Sequence, residues 1–322
     1  MKLIIQIPCY NEAETLSVAL AELPREIPGI DKVEILVIDD GSSDSTVEVA
    51  KANGVDHIAR HHTNLGLAQA FMTGLHTALS LGADIIVNTD ADNQYCAADI
   101  PALIAPILEG KAQYVIGTRP IAGIEHFSPV KKLLQKLGSS VVRQISGTCV
   151  EDAPSGFRAL NRDAAMRMNV FNRYTYTLET IIQAGYKNLN IACVPVRVNA
   201  DLRPSRLVKS IPRYISRSLF TMIRIFVVYR PFKFFFSLGT VSFLAGFLIG
   251  CRFLIRYLAG NGQGMMQSLI LAAVLMLTGA VLGMLAFMAD LLSVNRQLLE
   301  DIQYRQRKAS YKKEDSIERK IQ

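Results

Sequence analysis

Asp84-Ile85-Ile86-Val87-Asn88-Thr89-Asp90-Ala91-Asp92-Asn93-Gln94 is the stretch on which the fold turns. Its first six residues, apolar and β-branched at their centre, read as a buried strand, and the acidic run after them reads as the loop at its carboxyl end. Similar runs at residues 3–7, 33–38, 56–59 and 114–117 predict four more strands. Helix-period segments lie between them. Residues 44–53 stop at Gly54, residues 67–81 stop at Gly82, and residues 100–109 have Pro101 in the first turn and Gly110 beyond the last. This alternation predicts an α/β domain on a doubly wound, mostly parallel, Rossmann-like sheet.

In such a sheet, ligands bind beyond the carboxyl ends of the strands. Three polar clusters fall there: Pro8-Cys9-Tyr10-Asn11-Glu12, Asp39-Asp40-Gly41-Ser42-Ser43-Asp44-Ser45-Thr46, and Asp90 to Gln94. Their acidic side chains gather on one edge, where mutual repulsion is costly unless a cation neutralises it. Asp90 and Asp92 alternate in an extended loop and offer hard oxygen ligands to Mg²⁺ or Mn²⁺, which take one or two carboxylates plus substrate phosphate oxygens. A lone Asp-x-Asp is weak, since turns and helix caps are rich in Asp. Its place beside two more acidic strand ends is what gives it weight.

The net charge of +7 hides a split. Residues 1–200 carry 17 Lys+Arg against 21 Asp+Glu, and residues 201–322 carry 18 against 7. The basic residues flank apolar runs, which favours an anionic membrane surface over nucleic acid as partner. Arg206, Lys209, Arg213, Arg217 and Arg224 recur along one face of an expected amphipathic helix within residues 201–231, suited to lying in the bilayer interface, with Pro212 as a start or kink. Residues 232–250 and 269–289 are each long and apolar enough to span a hydrocarbon core of roughly 30 Å. The short uncharged link predicts a two-helix transmembrane hairpin over 232–293, with a polar tail over 294–322 that frays from Tyr304. Arg230 and Lys233 before the first span, and Arg296 and residues 305–313 after the second, put both ends in the cytoplasm by the positive-inside bias; Arg252 and Arg256 run against it. The five cysteines show no C-x-x-C pair, which suits reduced thiols.

With Asn64-Leu65-Gly66 and Ser155-Gly156-Phe157-Arg158 added in order, these motifs resemble the family-2 glycosyltransferases of GT-A fold. The chain is most similar to the dolichol-phosphate-mannose synthase-like and polyprenyl-phosphate glycosyltransferase branch, over about residues 1–200 and the two spans. The resemblance implies that Pro8, Tyr10, Glu12, Asp39, Asp40 and Asp90 hold the nucleotide-sugar. It assigns the Mg²⁺ or Mn²⁺ and diphosphate to Asp90, Asp92 and Gln94, with Asn93 where many relatives carry an apolar residue. It implies catalytic roles for Asp92, Arg119 and Arg158, although a plain salt bridge explains Arg119 equally well. Ser155 and Arg158 match the loop facing the acceptor. Arg203 and Arg206 resemble a basic motif that grips its phosphate.

The expected activity is inverting transfer of one sugar from a UDP- or GDP-sugar to an undecaprenyl- or dolichyl-type polyprenyl phosphate, at the cytoplasmic face of the inner membrane. A lipid phosphate is already anionic and needs cations rather than a strong base, and Arg suits phosphate. Two rivals remain: transfer to a lipid or glycan hydroxyl, for which Glu179 is the candidate base, and an inactive membrane scaffold of the same fold. Further expectations are assembly into a homo-oligomer through the spans and no nucleic-acid partner.

Overall fold

The computed structural model describes residues 1–120, 138–140, 142–143, 146–148, 150–170, 175–200, 220, 223–224, 226–260 and 266–321, the last with side chains to residue 311. The described strands are β1 (Lys2–Cys9), β2 (Lys32–Asp39), β3 (His57–Arg60), β4 (Ile85–Asn88), β5 (Tyr114–Thr118), β6 (Arg158–Asn161) and β7 (Ile191–Pro195). They form one sheet in the order β3-β2-β1-β4-β6-β5-β7. Every pairing is parallel except those of β6, which runs antiparallel to both β4 and β5. The five expected strands are all present. β6 and β7 were not expected; β6, four residues opening on an arginine, carries no apolar period to reveal it.

The central strands β1, β2 and β4 are buried on both faces, as the strands of parallel sheets are. On one face Leu3, Ile5 and Ile7 pack with Val33, Ile35, Val37, Ile85 and Val87. This layer lies against α1 (Leu16–Glu22), Ala50 of α2 (Thr46–Ala52), and Ile100, Leu103, Ile104 and Ile107 of α4 (Ile100–Leu108). The opposite face meets α3 (Leu67–Ser80), whose Phe71, Leu75 and Ala78 are fully buried. That face also carries two polar side chains, Gln6 and Asn88, both 0 % exposed. Gln6 Nε2 donates to Asn88 Oδ1 at 2.8 Å, and Asn88 Nδ2 donates to the Gly156 carbonyl at 2.9 Å and to Tyr176 Oη at 2.8 Å. The Tyr176 ring stacks on Phe71 with centroids 3.9 Å apart. Two short helices complete the domain: α5 (Arg162–Arg167), capped by the Asn161 side chain accepting from Ala164 N–H at 2.8 Å, and α6 (Thr177–Tyr186).

The chain divides into two compact units, Met1–Leu219 with Glu300–Gln322, and Phe220–Leu299. The second holds α7 (Pro231–Leu258) and the first part of α8 (Met266–Ile321). Both helices are long and apolar enough to cross a membrane, and few of their residues are buried. They run antiparallel and touch through small residues: a Cβ on Gly239 would lie 2.9 Å from the Gly279 carbonyl oxygen, and one on Gly246 would lie 2.7 Å from that of Ala272. Arg252 and Arg256, in the last turns of α7, are exposed. The expected interfacial helix falls mostly outside the described residues. Arg203, Arg206, Lys209, Arg213 and Arg217 all lie there, although residues 220, 223–224 and 226–229 are helical.

The frayed tail is corrected: α8 continues as one helix to Ile321, and its end packs on the catalytic unit. Glu300, Tyr304, Arg307 and Tyr311 fall at helical spacing on one face. Lys187 pairs with Glu300 at 2.9 Å, Tyr304 donates to Asp163 at 2.5 Å, and the Arg167 guanidinium sits 4.2 Å over the Tyr304 ring. Arg307 donates to the carbonyls of Met166 and Met168 at 3.0 Å each and to Asn169 Oδ1 at 2.8 Å. The His76 ring lies 3.4 Å from both Arg307 and Tyr311. Burial, and then the Arg307 charge, pushes His76 down to about 4.

An unfolded imidazole titrates near about 6.5. Between the two values the undocked histidine binds a proton that the docked one refuses. The docked state therefore strengthens as pH rises through this window and is fully favoured above it. Amide protection factors over residues 300–311 should fall between about pH 7.5 and about pH 5, and His76→Gln should abolish that dependence. Arg307→Ala should weaken protection there by about 1 to 3 kcal/mol, the cost of carbonyls left unpaired. Unchanged protection in Arg307→Ala would refute the docking.

Candidate active site

The sheet register sets Cys9 beside Asp39 and Gln6 beside Asn88, so the loops after β1, β2 and β4 leave one edge side by side. Pro8 is buried in β1 and Tyr10, just past its end, is 45 % exposed. Asn11 adopts a left-handed conformation, φ 54°. Its N–H donates to Ser42 Oγ at 2.9 Å, while its Oδ1 accepts from Ser43 N–H at 2.9 Å. Glu12 N–H donates to Thr46 Oγ1 at 2.9 Å, and its Oε2 accepts from Thr15 Oγ1 at 2.8 Å. The first two acidic loops are thus laced together before any ligand is considered.

Asp39 and Asp40 are both buried but differ in what they offer. Asp39 Oδ1 accepts from Ser42 N–H at 3.0 Å; its Oδ2 lies 3.0 Å from Arg60 Nε and has no hydrogen-bond partner. Asp40 is spent within the protein. Oδ1 accepts from Leu65 N–H at 2.9 Å and meets His61 Nδ1 at 2.7 Å, and Oδ2 accepts from Gly66 N–H at 2.9 Å. The nucleotide contact expected of Asp40 is therefore replaced by an anchor for Asn64-Leu65-Gly66. Gly41 permits the close approach: at φ 73°, a Cβ there would sit 2.6 Å from the Thr63 carbonyl carbon.

Beyond β4, Asp92 Oδ1 accepts the Gln94 N–H at 3.2 Å and Asn93 turns the chain at φ 57°. Burial, and then the charge of Asp92, pushes Asp90 up to about 7. Two carboxylates so placed fit a divalent cation, whose charge would allow both to ionise. Among the described residues no group of three His, Cys, Asp or Glu side chains gathers to hold a metal by itself. That suits a hard ion completed by phosphate oxygens. Gln94, expected as a third ligand, instead directs Oε1 toward Arg119 Nη1 at 3.4 Å.

Arg119 is only 8 % exposed and is gripped by Asp152, a residue the sequence did not single out. Its Nε and Nη2 donate to the two carboxylate oxygens at 2.7 and 3.0 Å, and its ring-facing side lies 5.9 Å from the centre of Tyr95. The salt-bridge alternative holds for Arg119, in a buried pair that still reaches the metal loop. Burial lowers its pKa while Tyr95 and Asp152 raise it; the balance is upward, so it stays charged.

Arg158 corrects the expectation of an acceptor-facing side chain. It is 0 % exposed at the head of β6, with its guanidinium donating to Tyr114 Oη, Thr180 Oγ1 at 2.7 Å and the carbonyls of Ser155, Ala153 and Thr177 at 2.7, 2.8 and 2.9 Å. Ser155 is also 0 % exposed, and its Oγ has no hydrogen-bond partner. Between them Gly156 abuts the carboxylate of Asp90: a Cβ there would lie 2.7 Å from Oδ2. Tyr95 Oη accepts from Gly156 N–H at 2.8 Å, closing the loop on the far side. Glu179, in α6, is 6 % exposed. Arg203 and Arg206 lie outside the described residues.

The family model described as glycosyl transferase family 2 matches residues 4–168, just over half of the chain. The chain belongs to glycosyl transferase family 2. Two similar relatives act on lipid phosphates by name. One is a UDP-N-acetylglucosamine–dolichyl-phosphate N-acetylglucosaminyltransferase of Methanococcus voltae, 32 % identical over 59 % of this chain and 83 % of that protein. The other is an undecaprenyl-phosphate mannosyltransferase of Micrococcus luteus, 30 % identical over 64 % and 88 %. Among solved structures, glucosyl-3-phosphoglycerate synthase of Mycobacterium tuberculosis, in complex with Mn²⁺ and UDP, superposes with a TM-score of 0.54 over 69 % of this chain and 79 % of that one, at 21 % identity. The fold of this glycosyltransferase is GT-A-like, as the motif order implied.

Gly156→Ala forces the Asp90 carboxylate aside without changing charge or polarity. The family-2 site should then bind Mn²⁺ in the presence of UDP at least about tenfold more weakly, near 1.4 kcal/mol. Isothermal titration reads this directly; wild-type affinity in Gly156→Ala would show that Asp90 is no ligand.

Proposed function

We propose that this glycosyltransferase moves one sugar, with inversion, from a UDP- or GDP-sugar to a polyprenyl phosphate at the cytoplasmic face of the membrane. The observation that carries it is the continuity between metal loop and membrane segment. Asn199 N–H donates to the Gln94 carbonyl at 2.9 Å, and Tyr95 pairs with Val198. Four residues of extended chain span at most about 14 Å, so Arg203 is tethered near the diphosphate site whatever path the chain takes, and Arg206 within about 25 Å. Helix α7 begins 25 residues after Arg206, at Pro231. The names of the Methanococcus and Micrococcus relatives support the same acceptor class.

The nucleoside is held by Pro8, Tyr10, Glu12 and Asp39, whose Oδ2 is paired with Arg60 but accepts no hydrogen bond. Asp90 and Asp92 would hold a divalent cation, which when bound would supply Lewis-acid stabilisation of the departing nucleoside diphosphate. Arg119, fixed in its orientation by Asp152, presents its charge to the same diphosphate. Arg203 and Arg206 grip the acceptor phosphate, whose oxygen attacks the anomeric carbon as the bond to the diphosphate breaks. Because that oxygen is already anionic, no side chain need remove a proton. This favours the lipid phosphate over a hydroxyl acceptor, whose candidate base Glu179 is almost fully buried. Ser155, with a buried and unpaired hydroxyl, and Arg158 act by shaping the loop that backs Asp90.

Detergent-solubilised protein offered labelled UDP- and GDP-sugars, polyprenyl phosphate and Mn²⁺ or Mg²⁺ should yield a mild-acid-labile labelled lipid. Asp92→Asn should lower the rate by at least about a hundredfold, as losing one electrostatic contact to a transition state does. Transfer that proceeds at the wild-type rate in Asp92→Asn, or with all divalent cations chelated, would refute the metal-assisted reading.

A further inference from the structure

Asn93 follows Asp92 in the metal loop, and the structure gives its side chain a use. It is 6 % exposed, in a left-handed turn that Asn tolerates better than most side chains, and its Nδ2 donates to Glu22 Oε1 at 3.0 Å. The other Glu22 oxygen accepts from Asn199 Nδ2 at 3.2 Å. The same Asn199 nitrogen reaches the Asn93 carbonyl at 3.1 Å and that of Tyr95 at 3.5 Å. Backbone bonds run alongside: Asn199 N–H to the Gln94 carbonyl at 2.9 Å, and Cys96 N–H to the Arg197 carbonyl at 3.2 Å. Arg197 is itself held by Asp99 through its N–H at 2.7 Å and its guanidinium at 2.6 and 3.0 Å. One carboxylate at the end of α1 therefore takes one amide donor from the metal loop and one from the strand that leads to the basic segment.

We propose that Glu22, Asn93 and Asn199 form a clasp that positions the Asp90–Asp92 loop and ties the chain at Asn199 beside it. The purpose of the clasp rests on the metal-assisted transfer proposed above; its existence rests on these bonds alone. None of the three touches the reacting atoms, so they are positioning residues. Glu22 is exposed, and exposed hydrogen bonds add little to global stability. The clasp acts locally, on the shape of a short loop.

That locality gives the test, made on the full chain in detergent with Glu22→Ala, Asn199→Ala and the milder Glu22→Gln. Without metal, the amides of Cys96 and Asn199 should exchange about tenfold faster in the two alanine variants, while the thermal midpoint moves by no more than about 2 °C. With UDP present, Mn²⁺ should bind about fivefold more weakly, and Glu22→Gln, which keeps one acceptor, should fall between wild type and Glu22→Ala. Unchanged exchange and unchanged Mn²⁺ affinity overturn the clasp. So does a drop in midpoint with protection lost evenly across the sheet, which is what a merely structural role would give. If wild type transfers no sugar to polyprenyl phosphate but the variants still loosen the loop and weaken Mn²⁺, the clasp stands and the acceptor reading falls. If wild type binds no Mn²⁺ but the alanine variants still loosen the loop, the clasp stands and the metal-assisted reading falls.

Discussion

The guanidinium of Arg158 is a full charge with no exposure to solvent, and most of the site's geometry follows from how it is satisfied. A buried charge is tolerated only when its hydrogen-bond capacity is filled. Here three of its acceptors are backbone carbonyls, two of them in the segment 153–155 and one at the start of α6. Those carbonyls cannot move without leaving the charge unpaired. The segment is therefore held in one conformation, with Gly156 against Asp90 on one side and Asp152 facing Arg119 on the other. The side chain farthest from solvent thus sets two features of the diphosphate site.

A second constraint meets the first at Gly156. Its carbonyl accepts from Asn88, which is in turn tied to Gln6, and from Tyr176 at 3.3 Å. Apolar residues at these core positions would pack at less risk, since each buried amide is costly if left unpaired. What the polar ladder adds is direction. It runs from the centre of β1 through β4 to the loop behind the metal ligands, so the position of Asp90 is referenced to the most rigid part of the sheet. A catalytic carboxylate held in this way can be stationed beside a second one even though burial and repulsion both resist its ionisation. A proton on Asp90 relieves that repulsion, and a bound divalent cation would relieve it while leaving both carboxylates ionised.

The motifs at the strand ends were legible because loop chemistry is local: Asp90, Asp92 and the Asn64-Leu65-Gly66 turn are recognisable within a few residues. Their partners were not. Asp152 is separated from Arg119 by 33 residues, and Asn199 from Glu22 by 177. Neither separation leaves a trace in periodicity or composition. Asp40 shows the same limit from the other side. Its place in an acidic pair suggested a ligand, and only the fold reveals that both of its oxygens are taken by backbone N–H groups. Arg158 was read as a loop residue for want of any apolar alternation around it, and proved to begin a strand. The end of α8 is different, because the spacing of Glu300, Tyr304, Arg307 and Tyr311 does carry a helical face. It was hidden by the polarity of the residues, which bond to carbonyls and a carboxylate rather than bury apolar area.

The apolar helices are an insertion in the catalytic unit rather than an appendage to it, since Glu300–Gln322 returns to the unit that residues 1–219 begin. On the proposed reading this matters for the acceptor. A lipid phosphate is confined to the plane of the bilayer, and an enzyme joined to that plane by a single flexible linker would meet it at an effective concentration set by the linker's length. Here the helices are joined to that unit by two covalent connections rather than one, before Phe220 and after Leu299. The cost is carried by the dock. Its cation, Arg307, is pushed down by burial, its neighbour His76 is kept neutral, and its bonds end on backbone carbonyls that have no substitute partner. A segment built this way is firm near neutral pH and is the first part of the unit to weaken as histidine begins to protonate.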